Sequence, residues 1–368
     1  MKKYIRVTAI LLAAVMLCGI LALFTACSNK SDVVLELDGH KITEGMYSYW
    51  MHNWKEYYLT YYSDVEDTDE YWSAINDTGV TNEEYLSEQI RTRINFYLVG
   101  MVLFDELGLK LSREVKDTVK SNINDQIAHA GSRSAYAKEL EIKYGISIGE
   151  MKEVFTAESK YTAVLEYLYD ETTGRETASA DELEAYYQTY YSRIKYVMFL
   201  KNVKYVYNDD GTRKTDSTGR YLTEKLTEEE KQQVAQKAED VYKEALGGAN
   251  MNDLMKKFME EFGFDISAVP NGFYISADDY VTHSATVTAA ALEMKVDEIR
   301  LCENDDCYYI VKKYDLPEKG YASSTDSNQF KNFVSYVNNQ KLAEKFSGIA
   351  KNIKEITEIT AKYDFSEL

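Results

Sequence analysis

Cys302 and Cys307 are the first residues whose type and spacing suggest chemistry. They flank the polar stretch Glu303-Asn304-Asp305-Asp306, which sits between two strand-like runs, Glu298–Leu301 and Tyr308–Lys313. A polar turn of that kind sets the two thiols opposite each other across a hairpin, near disulfide distance in an oxidising compartment. Free thiols are the alternative. Zinc would need two further ligands, and His40, His52, His129 and His283 show no ligand spacing, so no metal and no cofactor is expected. Gly-x-Ser-x-Gly, Walker A and His-Glu-x-x-His patterns are absent. Gly247-Gly248 falls at a helix end, where a C-cap accounts for it. A second group is aromatic. Trp50, Trp54, Tyr57 and Tyr58 crowd a single helical stretch and are candidate contacts for apolar polypeptide, although helical spacing serves equally well for packing residues.

The N-terminus bears on the compartment. Lys2, Lys3 and Arg6 precede an uninterrupted apolar run, Val7–Ala26, and then Cys27-Ser28-Asn29-Lys30. A basic stretch, an apolar stretch and small residues before a cut site mark an export signal. Leu23-Phe24-Thr25-Ala26-Cys27 resembles a lipobox, with Phe24 where leucine is usual. The expectation is cleavage after Ala26 and diacylglycerol on Cys27, leaving a body anchored on the outer face of a bacterial cell membrane. Palmitate would be among its acyl chains. An uncleaved membrane helix is the alternative.

The formal charge is −19, and losing Lys2, Lys3 and Arg6 would make it three units more negative. Such a body has no basic patch for nucleic acid and is repelled by anionic headgroups. A soluble surface that stays clear of the membrane is the plain reading; a preference for basic, unfolded polypeptide is the sharper one. Two prolines in 368 residues argue against a loop-rich protein. The tyrosine count, 32, offers many rings that are apolar in body and polar at the tip.

The elements that must position these residues are mostly helical. Residues 28–32 read as a tether. Val33–Glu44 reads as a strand, an Asp38-Gly39 turn, a short return strand and a helix start capped by Thr43. Helices are expected over 44–63, from the capping box Thr81-Asn82-Glu83-Glu84 to Gly108, over 112–130, 133–145 and 147–170, and from the box at Ser179–Glu182 to about Tyr191. Residues 64–80 read as a loop. From Arg193 the texture is mixed, β-α-α-β-α-β-β over 193–315, with a hairpin insertion at 201–224. Asn328–Lys351 reads as helix and Ile353–Tyr363 as β-like. The fold class is therefore α+β, with helical segments 33–192 and 316–368 forming one domain around the inserted 193–315 module.

That order of elements, with "LELDGHKITEG" near its start and "DELEAYYQTYYSRIKYVMF" at 181–199, resembles the PrsA/SurA group of extracytoplasmic foldases over nearly the whole mature chain. The resemblance implies a SurA-like peptide-binding domain carrying a parvulin-like (PpiC-type) prolyl-isomerase module. It also implies that the parvulin active-centre positions are changed here: Tyr196 and Tyr309 stand where histidines are usual, and the acid position falls near Pro270. Isomerisation breaks no bond and lowers only a rotation barrier of about 18–20 kcal/mol, so an aromatic pocket could retain part of it. The leading expectation is a chaperone or foldase for non-native exported chains, with enzyme activity leaning absent. A working peptidyl-prolyl isomerase is the alternative, and a surface protein with one dedicated partner is the third reading.

Overall fold

The computed structural model describes residues 32–62, 65–76, 78–259, 262, 265–277, 283–363, 365 and 368. The expected signal, Cys27 and all of the tether but Asp32 lie outside them. Among the described residues no helix is long and apolar enough to cross a membrane. The chain divides into two compact units, the first running to Thr177 and resuming at Asn339–Leu368, the second Ala178–Asn338.

The first unit begins with a hairpin, β1 (Val33–Leu37) and β2 (His40–Thr43). Its two-residue turn places Asp38 and Gly39 at φ 46° and 83°, the left-handed pair that matches strand twist. Thr43 then caps α1 (Glu44–Tyr61), its hydroxyl accepting from Met46 N at 3.3 Å. A short α2 (Asp69–Ser73) follows, then α3 (Asn82–Glu106), α4 (Arg113–His129), α5 (Arg133–Tyr144) and α6 (Ile148–Tyr169). Ser147 and Glu150 close a reciprocal capping box at the start of α6.

The core of this unit lies between α1, α3 and α6, with Trp50, Met51, Ile94, Leu98, Val154 and Val164 essentially sealed. The long pair crosses at Gly100, where an added Cβ would meet Tyr161 Cα at 2.9 Å; only glycine allows that approach. The end of the chain closes the same core. Phe346 is fully buried and meets Phe96 edge to face at 5.3 Å. It lies on α11 (Phe333–Ala350), whose residues from Asn339 on belong to this unit. The two-residue β9 (Lys354–Glu355) pairs antiparallel with β1, giving the sheet order β2-β1-β9. Buried Lys55 on α1 donates to the carbonyls of Phe365 and Leu368 at 2.6 and 2.9 Å and pairs with Asp67 at 2.9 Å.

The second unit is a four-stranded antiparallel sheet in the order β6-β3-β8-β7. After α7 (Ala180–Tyr190) its elements are β3 (Ser192–Leu200), the insertion strands β4 (Val203–Tyr205) and β5 (Thr223–Lys225), α8 (Glu228–Leu246), α9 (Met251–Met259), β6 (Phe273–Ile275), α10 (Ala285–Glu293), β7 (Ile299–Glu303) and β8 (Cys307–Tyr314). Strand alternation sends Lys195 and Phe199 toward α9, where they meet Asn252 and Phe258. Tyr196 goes to the other side, toward the residues that open α10. A separate aromatic knot of Tyr187, Tyr274, Phe330 and Phe333 ties α7 to the residues after β8.

Four expectations need correction. Residues 64–80 are not all loop, because Thr68 caps α2 and Trp72 enters the core at 1% exposure; five residues are too few to show periodicity. The last long helix starts at Phe333, later than Asn328. Ile353–Tyr363 supplies only β9 before a helical turn, α12 (Thr357–Thr360), whose buried Thr360 bonds Glu355. Cys302 and Cys307 are free thiols. The hairpin pairs Glu303 with Tyr308 and Cys302 with Tyr309, so the cysteines sit diagonally, two residues out of register. Diagonal cross-strand neighbours lie roughly 7–8 Å apart and their Cβ atoms only somewhat closer, beyond the ~3.8 Å between Cβ atoms that a disulfide needs.

Candidate functional site

In the first unit α1 and its C-cap residue Tyr62 present aromatic rings at three- and four-residue intervals: Trp54, Tyr57, Tyr58, Tyr61 and Tyr62. They form one wall of a groove of about 710 Å³, and Tyr85, Leu86 and Phe96 of α3 form the facing wall. Ile90, Tyr161 and Leu342 close the floor from three different helices. The rings order one another. Trp54 meets Tyr57 edge to face at 5.5 Å, Tyr57 stacks on Tyr61 at 6.0 Å, and Tyr61 meets Tyr62 at 4.9 Å. The Tyr58 hydroxyl lies 2.6 Å from that of Tyr71, and burial together with this contact pushes its pKa well up, so it stays neutral. Tyr61, Tyr57, Tyr62 and Tyr85 remain 68, 56, 47 and 46% exposed, a contiguous apolar surface facing solvent.

Of the four aromatic candidates, Trp54, Tyr57 and Tyr58 line this groove. Trp50 does not. It is fully buried, and its indole N–H donates to Glu158 Oε1 at 2.8 Å; four residues before Trp54, it falls on the core side of α1. Tyr61, Tyr62, Tyr85 and Phe96 escaped the sequence reading. Extending the Trp54/Tyr57/Tyr58 stripe by one turn would have found the first two, whereas the α3 residues needed the packing.

Glu158, which accepts from Trp50, is a carboxylate that this packing perturbs. Burial raises its pKa above the ordinary 4.5, and the Trp50 N–H only partly offsets that. A carboxyl whose folded pKa is raised contributes fully to stability below its unfolded value, and that contribution is lost as pH rises through the folded value. Glu158→Gln keeps an acceptor for Trp50 without the charge. The variant is expected to melt above the wild type at pH 7 to 8 and together with it below about pH 4.5; equal melting temperatures at both pH values would contradict this.

In the second unit Tyr196 and Tyr309 come together, ring centroids 6.2 Å apart, both 5% exposed. Phe273 packs between Tyr196 and a residue the sequence reading passed over, His283, with centroids at 5.2 and 5.1 Å. The Tyr196 hydroxyl lies 3.5 Å from His283 Nδ1. Burial raises both tyrosine pKa values, so both hydroxyls are neutral. His283 just precedes α10 and carries no motif, which is why spacing could not find it. Pro270 is not part of this cluster. Its carbonyl accepts from Lys195 Nζ at 2.9 Å, on the α9 side of the sheet, because the turn is fixed by Gly272. There φ is 93°, and a Cβ would lie 2.3 Å from Ile194 O. Among the described residues no His, Cys, Asp and Glu group could hold a metal ion.

Together these features define an α+β protein that pairs a helical unit bearing an aromatic groove with a mixed unit bearing a closed tyrosine–histidine cluster. The chain is similar to solved PrsA structures. That of Bacillus subtilis PrsA is 18% identical over 81% of this chain and 92% of its own, at a TM-score of 0.22. The foldase protein PrsA of Streptococcus pneumoniae is 17% identical over 90% and 99%, also at 0.22. The peptidylprolyl isomerase PrsA of Bacillus cereus is 10% identical over 76% and 89%, at 0.28. No family model and no curated protein matches. Likeness at this level does not by itself assign an activity to the chain.

Proposed function

We propose that this chain is an extracytoplasmic folding helper, tethered to the membrane by lipid on Cys27, that holds non-native exported polypeptide in the groove of its first unit. The observation that carries the reading is the contiguous run of solvent-facing rings from Trp54 to Tyr62 opposite Tyr85 and Phe96. A groove of that kind binds by apolar burial, about 25 cal/mol per Å², and so needs no particular client sequence. Light scattering of an aggregating client, with the lipid-free body in several-fold excess, tests it. Suppressed scattering is expected; undiminished aggregation would overturn the reading.

A second reading, peptidyl-prolyl isomerisation, is favoured by one observation, the Tyr196 hydroxyl beside His283. Twisting an amide calls for a desolvated pocket with a donor in place, and this cluster has the donors but is closed over at Tyr196 and Tyr309. In a protease-coupled assay on a proline tetrapeptide, the holding function predicts background rates, unchanged in Tyr196→Phe and His283→Ala. A rate well above background that falls in His283→Ala would move the function to the second unit.

A further inference from the structure

The groove is polarised along its length. At one end the Arg93 guanidinium lies over the Trp54 ring, 5.4 Å from its centroid. Tyr85 precedes Arg93 on α3, and Tyr62 follows Trp54 on the neighbouring segment, each by eight positions, which is about 12 Å of helix. At that far end the chain turns acidic. Glu66, Asp69 and Glu70 lie four to eight positions beyond Tyr62, and Glu84 precedes Tyr85; all four are exposed.

The acidic turn is fastened to the groove at three points. Val65 N donates to Tyr62 O at 2.9 Å, the Tyr58 and Tyr71 hydroxyls meet, and Asn82 Nδ2 donates to Tyr71 O at 2.9 Å. Among the described residues none of these four carboxylates is held in an ion pair, in contrast to Asp67, which Lys55 engages. The Tyr61 and Tyr62 rings beside them are 68 and 47% exposed, and their faces attract a cation.

From this complementarity we infer a substrate class: extended, non-native segments whose apolar residues are flanked by lysine or arginine, with the cation seated among Tyr62, Tyr85, Glu66, Asp69, Glu70 and Glu84. The inference rests on the proposed holding function and adds selection by charge. A cationic flank gains ring faces and carboxylates at once, whereas an anionic flank meets a surface of its own sign on a chain of net charge −19. The mature sequences best served are those that leave the cell with basic patches still unfolded.

Fluorescence anisotropy separates the two claims, using labelled peptides of identical apolar residues flanked by lysine, by serine or by glutamate. The lysine peptide is expected to bind about five- to tenfold tighter than the serine peptide at low salt, and the glutamate peptide weakest. The gap should close near 1 M salt, where the screening length is about 3 Å. In Glu66→Gln/Asp69→Asn/Glu70→Gln/Glu84→Gln the lysine peptide should fall to the affinity of the serine peptide. Equal, salt-independent binding of all three peptides would overturn the charge selection and leave the holding function standing. Binding of none would overturn both.

Discussion

Replacing Tyr57, Tyr61 and Tyr62 by serine is expected to abolish protection of an aggregating client while leaving the melting temperature nearly unchanged. The three rings are 56, 68 and 47% exposed, and surface substitutions of this kind shift stability by only about 0.5 kcal/mol each. Their value in binding is larger. If each ring contributes even about 1 kcal/mol when a client covers it, losing three weakens binding by roughly a hundredfold. Their contacts are mainly with one another and with Trp54 and Tyr58, so removing them together exposes little new core. Light scattering and a thermal melt on the same preparation decide the matter. Full protection with the triple variant would place client binding elsewhere; lost protection with a collapsed melt would mean that the rings hold up the fold.

Much of the architecture was legible because it depends on local rules. Thr43, Ser179 and the Asp38-Gly39 turn announce their elements in a few residues, and the apolar stripe of α3 repeats over 25 residues. The failures share a cause. Whether Cys302 faces Cys307 depends on hairpin register, and a shift of two positions keeps the same alternating pattern while parting the thiols. β9 is two residues long and exists because β1 offers it Leu35 and Glu36 as partners; no pattern within 353–363 encodes that. The groove was half legible. Its α1 wall is a periodic stripe, but its facing wall and floor come from α3, α6 and the end of the chain, which only packing brings together. His283 reaches Tyr196 from a different element, 87 positions on.

Trp50→Ala should produce the opposite pattern from the tyrosine variant, a large loss of stability with client binding lost only as a consequence. Trp50 is fully buried, lies against Tyr97 at 5.0 Å, and supplies the N–H that Glu158 accepts. Emptying a buried tryptophan site costs about 3–5 kcal/mol, a large part of the roughly 5–15 kcal/mol that separates a domain from its unfolded state. Part of that cost is electrostatic, because Glu158 is left in an environment that already disfavours its charge. Double substitution isolates this part. Trp50→Phe retains most of the ring and removes the donor, leaving a part-buried acceptor unsatisfied at up to about 1 kcal/mol, the low end of the range for a buried group. Adding Glu158→Leu removes the stranded acceptor too, so the double variant should be more stable than Trp50→Phe alone, although Glu158→Leu by itself breaks a good hydrogen bond. Such coupling is what two residues sharing one hydrogen bond produce. Additive losses in urea denaturation would mean that the Trp50–Glu158 bond contributes nothing, and that the ring's packing alone anchors α1 beneath the groove.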